Sequence, residues 1–305
     1  MRRRLLGILL AGVVVTGLPA APAAASARKV ALPNGHRLFL ECRGKGSPTV
    51  VLEAGLRNRA DVWSTLAAEG QTATVFGALT RGTRVCAYDR PGTVSADLAQ
   101  RSRSDPVRMP RSTGALAADL RMLLRAARVK PPYVLVAHST GGLIVRQYTG
   151  AHPRRVAGLV LVDAIPETVE TSLRISSWNE YNADYLTAPP PPLADYADLE
   201  YVDFRQSFAQ MRRAGVKPPR QIPMIVLSKG QPFGIPRRLG RLVDAAWVRG
   251  GRYLASLEPG TPRIVAPDSG HYIQLDDPGL VIRSARRVIR AVRAGRSSLL
   301  PRSHQ

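Results

Sequence analysis

Six short apolar runs with helix-length segments between them constrain this chain more than any other feature. They are PTVVLEAG (48–55), TRVCAYDRPG (83–92), YVLVAHS (133–139), VAGLVLVDA (156–164), PMIVLSKG (223–230) and PRIVAPDSG (262–270). Runs this apolar suit strands buried on both faces, as parallel strands are. Between them, TGALAADLRMLLRAARV sets Leu116, Leu120, Leu123 and Leu124 on one helical stripe. PGLVIRSARRVIRAVRAG does the same with Ile282, Ala285, Ile289 and Val292 against a face of arginines that reads as solvated. Asp276 or Asp277 with Pro278 starts that helix and Gly295 stops it. Upstream, RKVALPNG and HRLFLECRG are joined at Asn34-Gly35, a hairpin signal. Strands alternating with helices predict an α/β fold, a mostly parallel sheet with helices on both faces.

One segment breaks the alternation. Residues 166–220 carry consecutive prolines from Pro189 to Pro192 and many aromatics, and are expected to fold over the carboxyl edge of the sheet as a lid. Trp178, Tyr181 and Tyr185 are its candidate substrate-facing residues. A peripheral helical excursion that packs on itself is the alternative.

VAHSTGG, Val136 to Gly142, puts a serine where a strand must turn sharply into a helix. Such an elbow strains the backbone, so the residues two before and two after the serine must be small, and here they are Ala137 and Gly141. The turn lifts the Ser139 hydroxyl above the sheet edge. It also aims the Thr140 N–H and the helix N-terminus at any negative charge developing there.

Together, VVLEAGLRN, RVCAYDRPG, VAHSTGG and VAPDSGHYIQLDDP resemble, in order and spacing, the α/β-hydrolase superfamily across roughly residues 30–292. Ala137 departs from the usual first glycine of G-x-S-x-G and is still small. The resemblance implies an eight-stranded sheet and a Ser, acid, His order along the chain. It makes Ser139 the nucleophile and His271, in the loop after the last strand, the general base. Many members carry the acid after the strand corresponding to PMIVLSKG, where no Asp or Glu precedes Asp244. Others carry it after the preceding strand, which ends in Asp163. Asp163 is therefore the first candidate, with Glu167, Asp244 and Glu258 as alternatives. The oxyanion donors are expected to be the N–H groups of Thr140 and Leu56, the latter just past Gly55 in EAGLRN. The strands bearing Cys42 and Cys86 would be neighbours in the family's sheet, which implies a disulfide between them.

Other polar residues near these motifs have plain roles. His138 is expected to point away from the site and pack, Asp89 to cap its own turn, and Arg57 and Arg59 to lie in a solvated loop. No metal-ligand or phosphate-cradling pattern occurs, so no cofactor and no metal are expected.

The first residues combine three arginines, an apolar run from Leu5 to Leu18 and Ala25-Ser26-Ala27. This is the layout of a cleavable signal peptide over residues 1–27, and predicts a secreted protein. The apolar run is too short to span roughly 30 Å of hydrocarbon. The remaining chain divides into a core (28–165 and 221–296), the insertion (166–220) and a flexible tail (297–305). A net charge of +22 raises nucleic-acid binding. The arginines are scattered without zinc-ligand spacing or aromatic interleaving, so no specific nucleic-acid partner is expected, only weak attraction to an anionic cell surface. Two cysteines are too few for a disulfide-built scaffold.

The expected function is hydrolysis of a small carboxylic ester or related acyl compound through an acyl-enzyme. An aminopeptidase, an amidase or a cofactor-free haloperoxidase would use the same triad. A catalytically inactive hydrolase fold that binds a ligand is the non-enzymatic alternative.

Overall fold

In the computed structural model, described over residues 26–67, 69–214 and 221–299, the apolar runs become strands of one sheet. These are β1 (Ser26–Ala31), β2 (Arg37–Arg43), β3 (Thr49–Glu53), β4 (Val85–Tyr88), β5 (Tyr133–His138), β6 (Val156–Val162), β7 (Met224–Lys229) and β8 (Arg263–Ala266). Their order is β1-β2-β4-β3-β5-β6-β7-β8. The β1–β2 and β2–β4 pairs are antiparallel and the others parallel. Gly35 turns the β1–β2 hairpin at φ +88°, a conformation open to glycine because it has no Cβ. Residues 1–25 of the expected leader lie outside the described residues. β1 already includes Ser26 and Ala27, which pair with Cys42 and Glu41.

Nine α-helices surround the sheet: α1 (Val75–Thr80), α2 (Thr113–Ala126), α3 (Gly141–Ala151), α4 (Thr168–Ser172), α5 (Ile175–Tyr181), α6 (Phe204–Ala214), α7 (Arg237–Ser256), α8 (Ile273–Asp276) and α9 (Pro278–Arg293), among the described residues. The two-residue period of a strand explains why its runs are apolar throughout. Val51, Leu135, Leu159 and Val226 join the core beneath α2, α3 and α7. Val50, Val134, Val160 and Leu227 join the opposite core beneath α1 and α9.

Caps fix the helices that frame the site. The Ser112 hydroxyl accepts from Ala115 N–H at the start of α2, and the Asp277 carboxylate accepts from Leu280 N–H (2.8 Å) at the start of α9. Asp276 instead accepts from Gly270 N–H (2.8 Å), tying down the loop that carries His271. The arginine face of α9 is only partly solvated: Arg286 donates to the Ala78 carbonyl and Arg293 to those of Ser47 and Gly82.

The insertion runs from β6 to β7. It contains α4, α5, a π-helical segment Asn182–Thr187, a 3-10 turn Pro191–Leu193 and α6. It returns to the core through a bridge between Arg111 and Val202 and a hydrogen bond from Thr113 N–H to the Ser207 hydroxyl (2.9 Å). Its residues 215–220 lie outside the described residues.

Candidate active site

Ser139 follows β5 directly and adopts φ +52°, a region that costs a non-glycine residue of order 1 kcal/mol or more. Its surroundings over-determine that conformation. The Ser139 N–H donates to the Val162 carbonyl (3.1 Å), and its own carbonyl accepts from Gly142 (2.9 Å) and Ile165 (3.2 Å). A Cβ on Gly141 would lie 2.7 Å from the Ala54 carbonyl oxygen and 2.8 Å from that of Glu53. The small residue there lets the start of α3 press against the end of β3.

The three predicted side chains meet at the carboxyl ends of β5, β6 and β8. The Ser139 hydroxyl donates to His271 Nε2 (2.9 Å), and His271 Nδ1–H donates to Asp163 Oδ2 (2.7 Å). Asp163 sits at φ +40° just past β6. Its other oxygen accepts from Lys229 N–H (3.0 Å), so the carboxylate is aimed by β7 as well as by its own strand. The alternative acids are engaged elsewhere. Glu167 receives both Arg146 (2.6 and 3.0 Å) and the Tyr253 hydroxyl (2.5 Å). Burial works against the Glu167 charge, and Arg146 nonetheless holds its carboxyl below the usual range. Asp244 accepts from Lys229 Nζ (2.6 Å) and Phe233 N–H (3.2 Å). Glu258 is buried beyond the end of α7.

His138 corrects the expectation that it points away. It is buried, its ring lies 4.6 Å from that of His271, and its Nε2–H donates to the His271 carbonyl (2.9 Å). Consecutive elbow residues thus grip both ends of His271, His138 the backbone and Ser139 the ring. Burial, followed by the neighbouring His271, pushes the His138 pKa well below its ordinary value and keeps it neutral. A Cβ on Gly55 would lie 2.6 Å from His138 Nδ1, so only glycine lets the loop after β3 come this close. Among the described residues neither the Leu56 nor the Thr140 amide donates to a protein acceptor.

Above Ser139 lies a cavity of about 320 Å³. Leu56, Ile165, Phe233 and Trp247 come to it from the core, and Leu186 and Leu193 from the insertion. Tyr181 and Tyr185 also line it. Trp178 does not: it is fully buried within the insertion, with its ring 6.3 Å from Tyr181 and 5.6 Å from Phe208.

The sequence profile of a family described as alpha/beta hydrolase fold matches residues 48–220. The chain belongs to this family. The uncharacterized protein YqjL of Bacillus subtilis is 25% identical over 240 residues, which cover 78% of this chain and 82% of YqjL. The probable transporter efuK of Hormonema carpetanum is 31% identical over 138 residues, 43% of this chain but only 18% of that much longer relative. Among solved structures, Cfl2 from Burkholderia cenocepacia aligns with a TM-score of 0.60 at 21% identity, covering 87% of this chain and 95% of Cfl2. The carboxylesterase CesB of Bacillus subtilis aligns at 0.55 and 15% identity, covering 88% and 92%.

In this α/β-hydrolase, the loop after β3 rests on a buried charged cluster that the sequence reading missed. Arg90 donates to Glu53 (2.6 Å), to Glu200 of the insertion (2.6 and 3.0 Å) and to the carbonyls of Ala54 (2.9 Å) and Gly55 (2.6 Å). The Tyr88 hydroxyl donates to the other Glu53 oxygen (2.5 Å). The lone Glu53 in an otherwise apolar strand was the available signal. Arg57 and Arg59, expected in a solvated loop, are both buried. Arg57 bonds to the insertion, and Arg59 donates to Gln100 and to the Arg101 carbonyl. Asp89 caps no turn of its own: it accepts from Ala60 N–H and from the backbone and side chain of Arg103, joining three loops of the hydrolase.

The same hydrolase carries a disulfide between Cys42 and Cys86, which face each other across β2 and β4.

Proposed function

We propose that this protein is a secreted serine hydrolase that cleaves a carboxylic ester or related acyl bond. The observation that carries the reading is the continuous chain from Ser139 through His271 to Asp163, at 2.9 and 2.7 Å, on the floor of an apolar cavity. With Nδ1–H given to Asp163, the lone pair of His271 Nε2 faces the serine hydroxyl. Ser139 Oγ attacks the carbonyl carbon while its proton passes to Nε2. The Leu56 and Thr140 amides receive the developing oxyanion. Collapse of the tetrahedral intermediate expels the alcohol, which takes the proton from His271 and leaves an acyl-serine. Water, deprotonated by His271, then releases the acid and restores the enzyme.

No carboxylate lines the cavity among the described residues, which favours an uncharged ester over a peptide amine terminus that would need an anionic partner. Export is supported by the leader-like sequence of residues 1–27 and by the Cys42–Cys86 disulfide, a bond that persists in oxidising compartments. The esterase CesB, similar in fold, acts on carboxylic esters by its name, and this is consistent with the reading.

A fluorophosphonate probe tests it directly. Wild-type protein is expected to be labelled, Ser139→Ala not at all, and His271→Ala only slowly. A folded wild-type protein that stays unlabelled would eliminate the nucleophilic serine and bring a ligand-binding role forward.

A further inference from the structure

The loop carrying Leu56 and the insertion hold each other in both directions through Arg57. In one direction the Arg57 N–H donates to the Glu200 carboxylate of the insertion (2.6 Å). In the other, the Arg57 guanidinium donates to the carbonyls of Leu186 (3.2 Å), Thr187 (2.7 Å) and Ala188 (2.8 Å). These close the π-helical segment, at the end where helical carbonyls lack internal donors. Arg57 itself adopts φ +63°, a conformation that persists in a non-glycine residue only where its surroundings impose it. Arg90 completes the grip, holding Glu200 on one side and the Ala54 and Gly55 carbonyls on the other. Three backbone groups between Ala54 and Arg57 are therefore fixed by two buried side chains, one of which comes from the insertion. The peptide unit so fixed adjoins Leu56.

We infer that Glu200 is a positioning residue for the oxyanion loop, and that docking of the insertion through Arg57 sets the Leu56 amide. The segment that walls the substrate cavity then also completes the oxyanion hole. This rests on the acyl-transfer reading above and deepens it. An ion cluster that merely stabilised the fold would change the melting temperature and leave the chemical step alone. A positioning role lowers kcat and spares KM, because a misplaced donor is lost chiefly in the transition state.

The experiment compares wild type, Glu200→Ala, Glu200→Gln and Arg57→Met in the full chain. The readouts are p-nitrophenyl acetate turnover, fluorophosphonate inactivation rate and hydrogen exchange of peptides spanning 54–60 and 182–190. Glu200→Ala and Arg57→Met are expected to lower kcat on the order of 100-fold, the scale of one oxyanion donor, with KM within about threefold. Glu200→Gln keeps an acceptor oxygen and is expected to recover most of the loss. Exchange is expected to rise in both peptides together in Glu200→Ala and in Arg57→Met. A folded variant with unchanged kcat, a loss confined to KM, or exchange rising only in the mutated segment would overturn the inference. If Glu200→Ala does not fold, Arg57→Met decides alone, since it leaves Glu200 paired with Arg90. If the wild type shows neither labelling nor turnover, the acyl-transfer reading fails. Concerted exchange then still supports the mechanical coupling, and exchange in one segment alone rejects it.

Discussion

Asp163 reaches His271 from the end of its own strand, with the neighbouring β7 helping to aim it, so a change of one atom in its side chain tests its chemistry without moving the backbone. Asp163→Asn offers an amide where His271 Nδ1–H needs an acceptor and favours the wrong tautomer. Turnover of an ester is expected to fall on the order of 10³- to 10⁴-fold. Stability by urea unfolding should change far less than the loss of a core side chain would cause. A residual rate within tenfold of wild type would show that another group orients the histidine. Ser139 was legible because the elbow imposes small neighbours at fixed offsets, and His271 because it follows the last apolar run. Arg57 was not legible: its partner Glu200 lies 143 positions away. Whether an arginine is solvated or buried depends on such distant partners. His138 was misread for a related reason, since alternation along an isolated strand ignores the loop that later folds over its end.

At the scale of elements, the apolar runs foretold the parallel strands, since burial on both faces leaves no room for polar alternation. The placement of β4 between β2 and β3 had no local signal and came only with the family's topology. The insertion was legible as an interruption, but its π-helical segment was not, because its last carbonyls are taken by the Arg57 guanidinium from far away in the sequence. The disulfide joins β2 to β4 at the antiparallel side of the sheet. Replacing Cys42 and Cys86 together by alanine is expected to cost roughly 2–4 kcal/mol, read as a lower urea midpoint. Reductant should reproduce that shift in the wild type and leave the double variant unmoved. Equal midpoints with and without reductant would mean that the bond contributes nothing to the folded state.

Over the whole molecule, two carboxylates give stability opposite dependences on pH. Asp105 accepts first from Arg37 and then from Lys29, which together hold it down at about 2. Its folded value lies below the ordinary one, so its contribution is complete above about pH 4 and is lost as pH falls towards 2. Burial pushes Glu53 up to about 7 against the pull of Arg90. That contribution has the other sign, complete below about 4.5 and lost as pH rises through 7. Urea titrations across this range should show Asp105→Asn flattening the acid side and Glu53→Gln the neutral side. A slope that neither variant alters would remove both groups from the account.

The Ser139, His271 and Asp163 side chains all project from the carboxyl ends of the strands, and two exposed lysines lie at the opposite rim. Lys45 and Lys130 are exposed in the turns that enter β3 and β5, on the far rim of the sheet. Lys29 and Lys229 are occupied by Asp105 and Asp244. Amine coupling to a solid support through Lys45 or Lys130 would therefore hold the protein by its back, leaving the mouth of the cavity turned towards the solution.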